Sequence, residues 1–240
     1  MLTIKSNGNL YHAMPKTNIG NIVDELRDLS NSERKEKISE YLKTSSLDFI
    51  GVELPDIHKV VKKNIKGLSI DELPEIMDSL WKIKSFETRI AAIDVLKVYA
   101  RKGSIDVAMD FADRWVEDGD TWGIIDPLCS PTIGSMILRD SEVEKTLRSW
   151  RNSENFWRRR ASVLPFLHLA LKSQYKPEYN EKILEAVAPH LSDEEFFVGK
   201  AAGWVLRELS KRDPNLVRQF FDNHRSEMTK LVIREGSKKL

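Results

Sequence analysis

The chain has 240 residues, 41% of them hydrophobic, enough for one large domain or two small ones with a sizeable core. Its 38 Lys+Arg against 37 Asp+Glu leave a net charge of +1, which excludes a whole-molecule field that would by itself draw in a polyanion; any basic surface must be local. The single cysteine, Cys129, excludes an internal disulfide and a cysteine metal cluster and fits a reducing compartment, the cytoplasm by default.

The N-terminal stretch MLTIKSNGNLYHAMPKTN has neither the charged start nor the apolar run of a signal peptide, and residues 1–17 read as an irregular segment. No stretch approaches the roughly 18 apolar residues of a membrane span. Helices are expected at about 19–29 (Ile19, Ile22, Val23, Leu26), at 32–44 (Ile38, Tyr41, Leu42), and again after Pro55. In 71-DELPEIMDSLWKI-83, Leu73, Ile76, Met77, Leu80 and Trp81 form a buried helical stripe, and 86-FETRIAAIDVLKVYARKG-103 repeats the pattern with Phe86, Ile90, Ile93, Leu96 and Ala100. Arg101 and Lys102 favour a helix end at Gly103, so the two segments predict a hairpin.

Further helix starts are marked by Ser104, by Ser141 with Glu144 three residues on, by Ser192 with Glu195, and by Asp213 before Pro214. Pairs beginning near Asp71, Ser104, Ser141, Pro177 and Asp213 are spaced by 33, 37, 36 and 36 residues, the self-similarity of a helical solenoid. That spacing falls between the ~34 of tetratricopeptide repeats and the ~40–47 of HEAT or armadillo repeats. With no alternating strand pattern, the expectation is a single all-α domain over 1–240, a HEAT-like helical-repeat solenoid whose second helices line a concave groove.

Three stretches carry possible chemistry. In 121-TWGIIDPLCSP-131, Trp122 and Asp126 are one helical turn apart and share a face, and a carboxylate among apolar neighbours must be paired, solvated or used. Pro127 and Pro131 are expected to interrupt the helix just beyond, or Asp126 to cap the adjoining segment. In 157-WRRRASVLPF-166, the arginines at 158, 159 and 160 point about 100° apart around a helix, so at least one faces inward. With Lys145, Arg148 and Arg151 they form a local basic patch, either a solvated face with one arginine stacked on Trp157 or a set of phosphate contacts. In 200-KAAGWVLRELSKRD-213, small residues permit close helix approach beside Trp204, which is either core or site, and Arg207 and Glu208 suggest a surface or groove.

Other chemistries lack their residues. His12, His58, His168, His190 and His224 have no ligand spacing, which argues against a metal; no phosphate-binding glycine loop or GxSxG nucleophile occurs; Cys129 has no histidine near it in sequence and reads as a small apolar residue.

Taken in order, 48-DFIGVELPDIHKVVK-62, 122-WGIID-126, 157-WRRRA-161 and 203-GWVLRELSKRDP-214 resemble the AlkD-type family of DNA alkylation repair glycosylases, over roughly residues 35–235. The resemblance implies a HEAT-like array that holds alkylated double-stranded DNA in a basic groove and excises cationic N3- or N7-alkylpurines without flipping the base, as a monomer with no cofactor or metal. It implies Asp126 as the catalytic carboxylate and Trp122, Trp204, Arg160 and Tyr41 as substrate contacts, with Arg160 on a phosphate beside the lesion. Arg158, Arg159 and Arg207 are the matching candidates for the DNA backbone. Family members carry a basic residue and a threonine where Glu53 and Leu54 stand here, and an acid near phosphates repels them. The alternative is a non-catalytic HEAT-like module that binds DNA or a protein partner.

Overall fold

A computed structural model describes residues 18–240; the expected irregular segment 1–17 and His12 lie outside the described residues. Helices follow one another throughout: α1 (Asn18–Asp28), α2 (Ser32–Tyr41), α3 (Leu54–Asn64), α4 (Leu73–Lys82), α5 (Phe86–Tyr99), α6 (Ile105–Glu117), α7 (Trp122–Pro127), α8 (Gly134–Ile137), α9 (Glu142–Ser149), α10 (Phe156–Val163), α11 (Leu167–Ala170), α12 (Asn180–Val187), α13 (Phe196–Ser210), α14 (Pro214–His224) and α15 (Lys230–Gly236). Among the described residues the extended backbone amounts to one isolated bridge, Asp48 to Ser85.

The helices sort into two rows. An inner row runs α3, α5, α7, α10, α13, α15, each member touching the next, and α4, α6, α9, α12 and α14 back it from outside. The outer helices bury one stripe: α6, for example, buries Ala108, Met109, Phe111, Ala112, Trp115 and Val116. Helix α5 is buried almost all round, Phe86 to Ile93 without a break, because it is covered on both sides. The starts of the outer helices keep the spacing expected from the sequence. Ser104 accepts the Val107 N–H and Asp213 the Leu216 N–H, while the first pair is capped at Ser69, whose box closes with Glu72.

The repeat also shows in the polar links. Trp81 Nε1 donates to Asp118, Trp150 Nε1 to Asp113, Arg159 Nε to Asp193, Arg160 Nε to Asp126 and Lys63 Nζ to Glu25, with 37, 37, 34, 34 and 38 residues between partners. Each such bond joins a helix to the neighbouring repeat, where stacking has already brought the two together.

Several local expectations are corrected. Helix α5 ends at Tyr99, and Gly103 is there for space: a Cβ would fall 2.5 Å from the Tyr99 ring. Ser141 sits in helical backbone and makes no cap bond, and Glu144 pairs with Lys182 of the next repeat instead of closing a capping box. Ser192 does not start α13 either; Asp193 accepts the Glu195 N–H and the helix opens at Phe196. Nor do the prolines break the helix. From Trp122 to Ile137 it runs through a wide π turn at Leu128–Ile133, in which the Gly134 N–H reaches the Cys129 carbonyl. Pro131 has no N–H for the Pro127 carbonyl, and Thr132 Oγ1 donates to that oxygen instead, at 3.2 Å. Trp157 packs between Phe156 and Phe197, and among the described residues no arginine lies over it; Arg158 lies over Trp150.

Two devices fix the entry to α3. Gly51 has φ of 91°, and a Cβ there would stand 2.2 Å from the Asn31 carbonyl, so only glycine fits. The fully buried Glu87 accepts the N–H groups of Ile50 and Gly51 at 2.9 and 2.7 Å and holds that turn against α5. At the other end, Gly203 lets α13 and α15 close together, since a Cβ there would meet that of Glu235 at 2.5 Å.

Candidate active site

A cavity of about 520 Å³ opens between α2, α3, α5 and α7. Its apolar wall comes from Ile38, Leu42, Phe86, Ile90 and Ile93, and Trp122 and Asp126 border it from one turn of α7. Gly123 lies between them, where a side chain would meet Leu42 at 2.8 Å; its absence lets the segment after α2 close on α7. Tyr41, at the rim and 68% exposed, meets the Trp122 indole edge to face with ring centroids 5.2 Å apart.

The Asp126 carboxylate is 18% exposed, and a guanidinium that is only 4% exposed approaches it from α10. Arg160 Nε and Nη2 donate to its two oxygens at 2.8 Å each, a fork-on-carboxylate pair, while Nη1 donates to the Phe197 carbonyl of α13. Burial pushes the Asp126 carboxyl above its ordinary value, against the opposing pull of Arg160 and the charge of the exposed Lys200. The carboxylate is therefore paired and still reached by solvent, and it does not cap the segment beyond Pro127. The same burial pushes the neighbouring Cys129 thiol up, which leaves it a packed apolar group.

The arginines expected on phosphate are placed differently. Of the three at 158–160, Arg160 is the one that faces inward, and each nitrogen of its guanidinium donates to Asp126 or a main-chain carbonyl. Arg158 bridges Asp113 and Glu117 of α6, Arg159 pairs with Asp193 at 2.8 Å, and Arg207 with Glu235 at 3.3 Å. All these bonds stitch one repeat to the next, and the arginines at 158–160 of the expected basic patch are held in neutralised pairs. Trp204 does not border the cavity; it lies half-buried on α13, one turn past Lys200. Glu53 precedes α3 and pairs with Arg34 at 3.2 Å, which offsets its charge, while Leu54 forms part of the cavity edge.

Sequence reading passes over two residues that border the same cavity. His58 of α3 and Asp94 of α5 face each other there through Nδ1 and a carboxylate oxygen. They are 36 residues apart, one repeat, so superposing the chain on its own period would have paired them. Among the described residues no group of three or more His, Cys, Asp or Glu side chains is placed to hold a metal ion, and no helix is long and apolar enough to cross a membrane.

Comparison of whole structures finds a predicted DNA alkylation repair enzyme from Enterococcus faecalis with a TM-score of 0.75 and 26% identity, covering 88% of this chain and 96% of that one. AlkD2 from Streptococcus mutans superposes with a TM-score of 0.62 at 18% identity, covering 85% of this chain and 98% of that one. The latter likeness speaks to the fold. Comparison with curated proteins gives no match. The sequence model of the family described as DNA alkylation repair enzyme matches residues 22–240, nearly the whole described chain, and the chain belongs to that family.

Proposed function

We propose that the protein is a monofunctional DNA glycosylase that hydrolyses the N-glycosidic bond of cationic N3- or N7-alkylpurines in duplex DNA, with Asp126 as its catalytic carboxylate. The observation that carries this reading is the placing of Asp126: an oriented carboxylate, backed by Arg160, at the edge of an open cavity with the aromatic faces of Trp122 and Tyr41 beside it.

An N3- or N7-alkylpurine is already positively charged, so its departure from the sugar needs little help from an acid. What the enzyme must stabilise is the positive charge that moves onto the deoxyribose as the bond to the base breaks. A carboxylate fixed in place before the reaction lowers the energy of that state more than of the ground state. Arg160 fixes it. The cost is a weaker field from the carboxylate, and the return is an anion that does not turn away. Trp122, joined in this reading by Trp204 of α13, supplies electron-rich ring faces to a cationic nucleotide, each contact worth ~0.5–2 kcal/mol. Tyr41 stands exposed at the rim, and Asp126 keeps contact with solvent, which supports reaction on a base that is not drawn into a deep pocket.

In this reading Arg160 acts on Asp126 rather than on phosphate, and Arg158, Arg159 and Arg207 reach DNA only by leaving their carboxylates. Lys200, exposed near Asp126, is the first candidate for the backbone. The second reading is a helical-repeat module that binds DNA or a protein without chemistry, and the neutralised arginines favour its protein-binding form. Incubating the protein with methylated duplex DNA and measuring free 3-methyladenine and 7-methylguanine by chromatography separates the two: release supports the glycosylase, and equal binding of methylated and plain duplex with no release supports the module.

A further inference from the structure

The pair formed by His58 and Asp94 divides two hollows of the inner row. On one side lies the cavity of Asp126; on the other, a concavity of about 380 Å³ opens between α3 and α5, with Lys62, Lys97 and Arg101 around a floor of Val61, Ile65 and Val98. Lys62 and Arg101 are exposed and Lys97 is half-buried, and among the described residues none of the three makes an ion pair or a side-chain hydrogen bond. In this they differ from the arginines expected on DNA, each of which is held by a carboxylate. The acid that borders the concavity, Asp94, is already bonded to His58. Basic side chains in the last turn of a helix ordinarily serve its negative end, and Lys62 and Lys97 stand in the last turns of α3 and α5. At α5 that end is served from elsewhere: Arg139 donates to the Ala100 and Gly103 carbonyls, which leaves Lys97 and Arg101 to the concavity.

We infer that Lys62, Lys97 and Arg101 grip the phosphates of one DNA strand beside the active cavity, as positioning residues that set where the duplex crosses Asp126. The inference rests on the duplex-binding part of the function proposed above. A cation with no partner inside the protein gives up only water to meet a phosphate oxygen, whereas a paired arginine must first lose its carboxylate. The apolar floor suits the aliphatic stems of the lysines and leaves their charged heads to the strand. Helices α3 and α5 pack together as consecutive members of the inner row, so the strand is held across two repeats. Such contacts fix the register of the duplex on the protein without reading its sequence.

The experiment is a salt titration of the binding of unmethylated duplex DNA by the full chain, read by fluorescence anisotropy from about 50 to 200 mM salt. An inner triple variant, Lys62→Gln with Lys97→Gln and Arg101→Gln, is compared with an outer one, Lys82→Gln with Lys145→Gln and Arg218→Gln. The outer triple removes exposed cations of α4, α9 and α14 and changes the net charge equally. Each lost phosphate contact lowers the logarithmic slope by about 0.9, so the inner triple loses about 2–3 and the outer triple nothing. The exchange Lys62→Arg with Lys97→Arg and Arg101→Lys keeps the wild-type slope. In single-turnover release from methylated duplex the inner triple needs more protein to reach its maximal rate, and that rate is the wild-type one, because these residues touch no reacting atom. A wild-type slope in the inner triple overturns the inference, and so does an equal loss in both triples, which makes the effect one of net charge. A lower maximal rate with no change in the protein needed overturns it too. If thermal unfolding shows the inner triple misfolded, the three single glutamine variants carry the same test, each expected to lose about 0.9. A lowered slope with no release by wild type keeps the grip and removes the glycosylase; release by wild type with an unmoved slope does the reverse; no duplex binding by wild type removes both.

Discussion

Replacing Asp126 by asparagine leaves Arg160 buried without its counter-charge, and the cost can be worked from the contacts. Removing one partner of a buried ion pair costs about 3–5 kcal/mol. Here Asp126 is 18% exposed, and the amide oxygen of asparagine still accepts one guanidinium bond, so about 2–3 kcal/mol is expected for Asp126→Asn. Arg160→Met strands both the carboxylate and the Phe197 carbonyl that Nη1 satisfies, for about 2–4 kcal/mol. The double variant has no unmatched charge left to bury, so it costs about as much as either single change and the cycle shows a coupling of about 2 kcal/mol. Urea unfolding followed by far-ultraviolet circular dichroism, with an unchanged dependence on denaturant, gives all three values. Single costs that add to within about 0.5 kcal/mol would mean that the two side chains do not hold each other, and the account of how Asp126 is positioned would fail.

Three more outcomes are expected. His190 is buried, accepts or donates at Nε2 to Ser162 Oγ at 2.7 Å, and is pushed down from 6.5 to about 4 by that burial. The unfolded chain then binds a proton that the folded chain refuses, so stability is whole above about pH 6.5 and falls by about 3 kcal/mol on acidification to about pH 4; His190→Asn should flatten that stretch of the urea-midpoint profile, and an equally steep profile refutes the assignment. Gly203→Val drives side-chain atoms into Glu235 and the backbone of Gly236, where α13 and α15 close, and should cost at least about 2 kcal/mol by thermal or urea unfolding; a neutral change would show that this contact yields. Salt titration of duplex binding should lose about 0.9 from its logarithmic slope in Lys200→Ala and nothing in Arg160→Met; a lowered slope in Arg160→Met would return Arg160 to the phosphate contacts.

Much of the architecture is legible before any coordinates. The outer helices announce themselves because each buries a single stripe and two of them begin at caps, Ser104 and Asp213, and their spacing survives in the structure. What the sequence hides is whom a polar side chain meets. Arg160 looks like a phosphate contact when read along its own helix; its partner is Asp126, 34 residues away, and only the stacking of repeats brings them together. Arg158, Arg159 and Arg207 are hidden in the same way, since no local pattern distinguishes a free guanidinium from one tied to the next repeat. The prolines mislead for a different reason. Local rules say that Pro127 and Pro131 stop a helix, but a π turn and the Thr132 hydroxyl absorb them, and Trp122 to Ile137 stays one helical run. At the candidate site, Trp122 and Asp126 could be paired from the sequence because they lie on one turn. His58 and Asp94 are paired by no local pattern, because their closeness is a property of the 36-residue period and not of either segment.

The central claim is that Asp126 stabilises charge on the sugar of an alkylated nucleotide. Its most direct test is the single-turnover release of 7-methylguanine from methylated duplex DNA by wild type and Asp126→Asn, below the temperature at which the variant begins to unfold and with duplex saturating both. The account predicts release by wild type and a fall of about 10²–10³-fold in the variant with its DNA binding retained, the range expected when one preorganised electrostatic contact to a transition state is lost. Equal rates in the two proteins would contradict it.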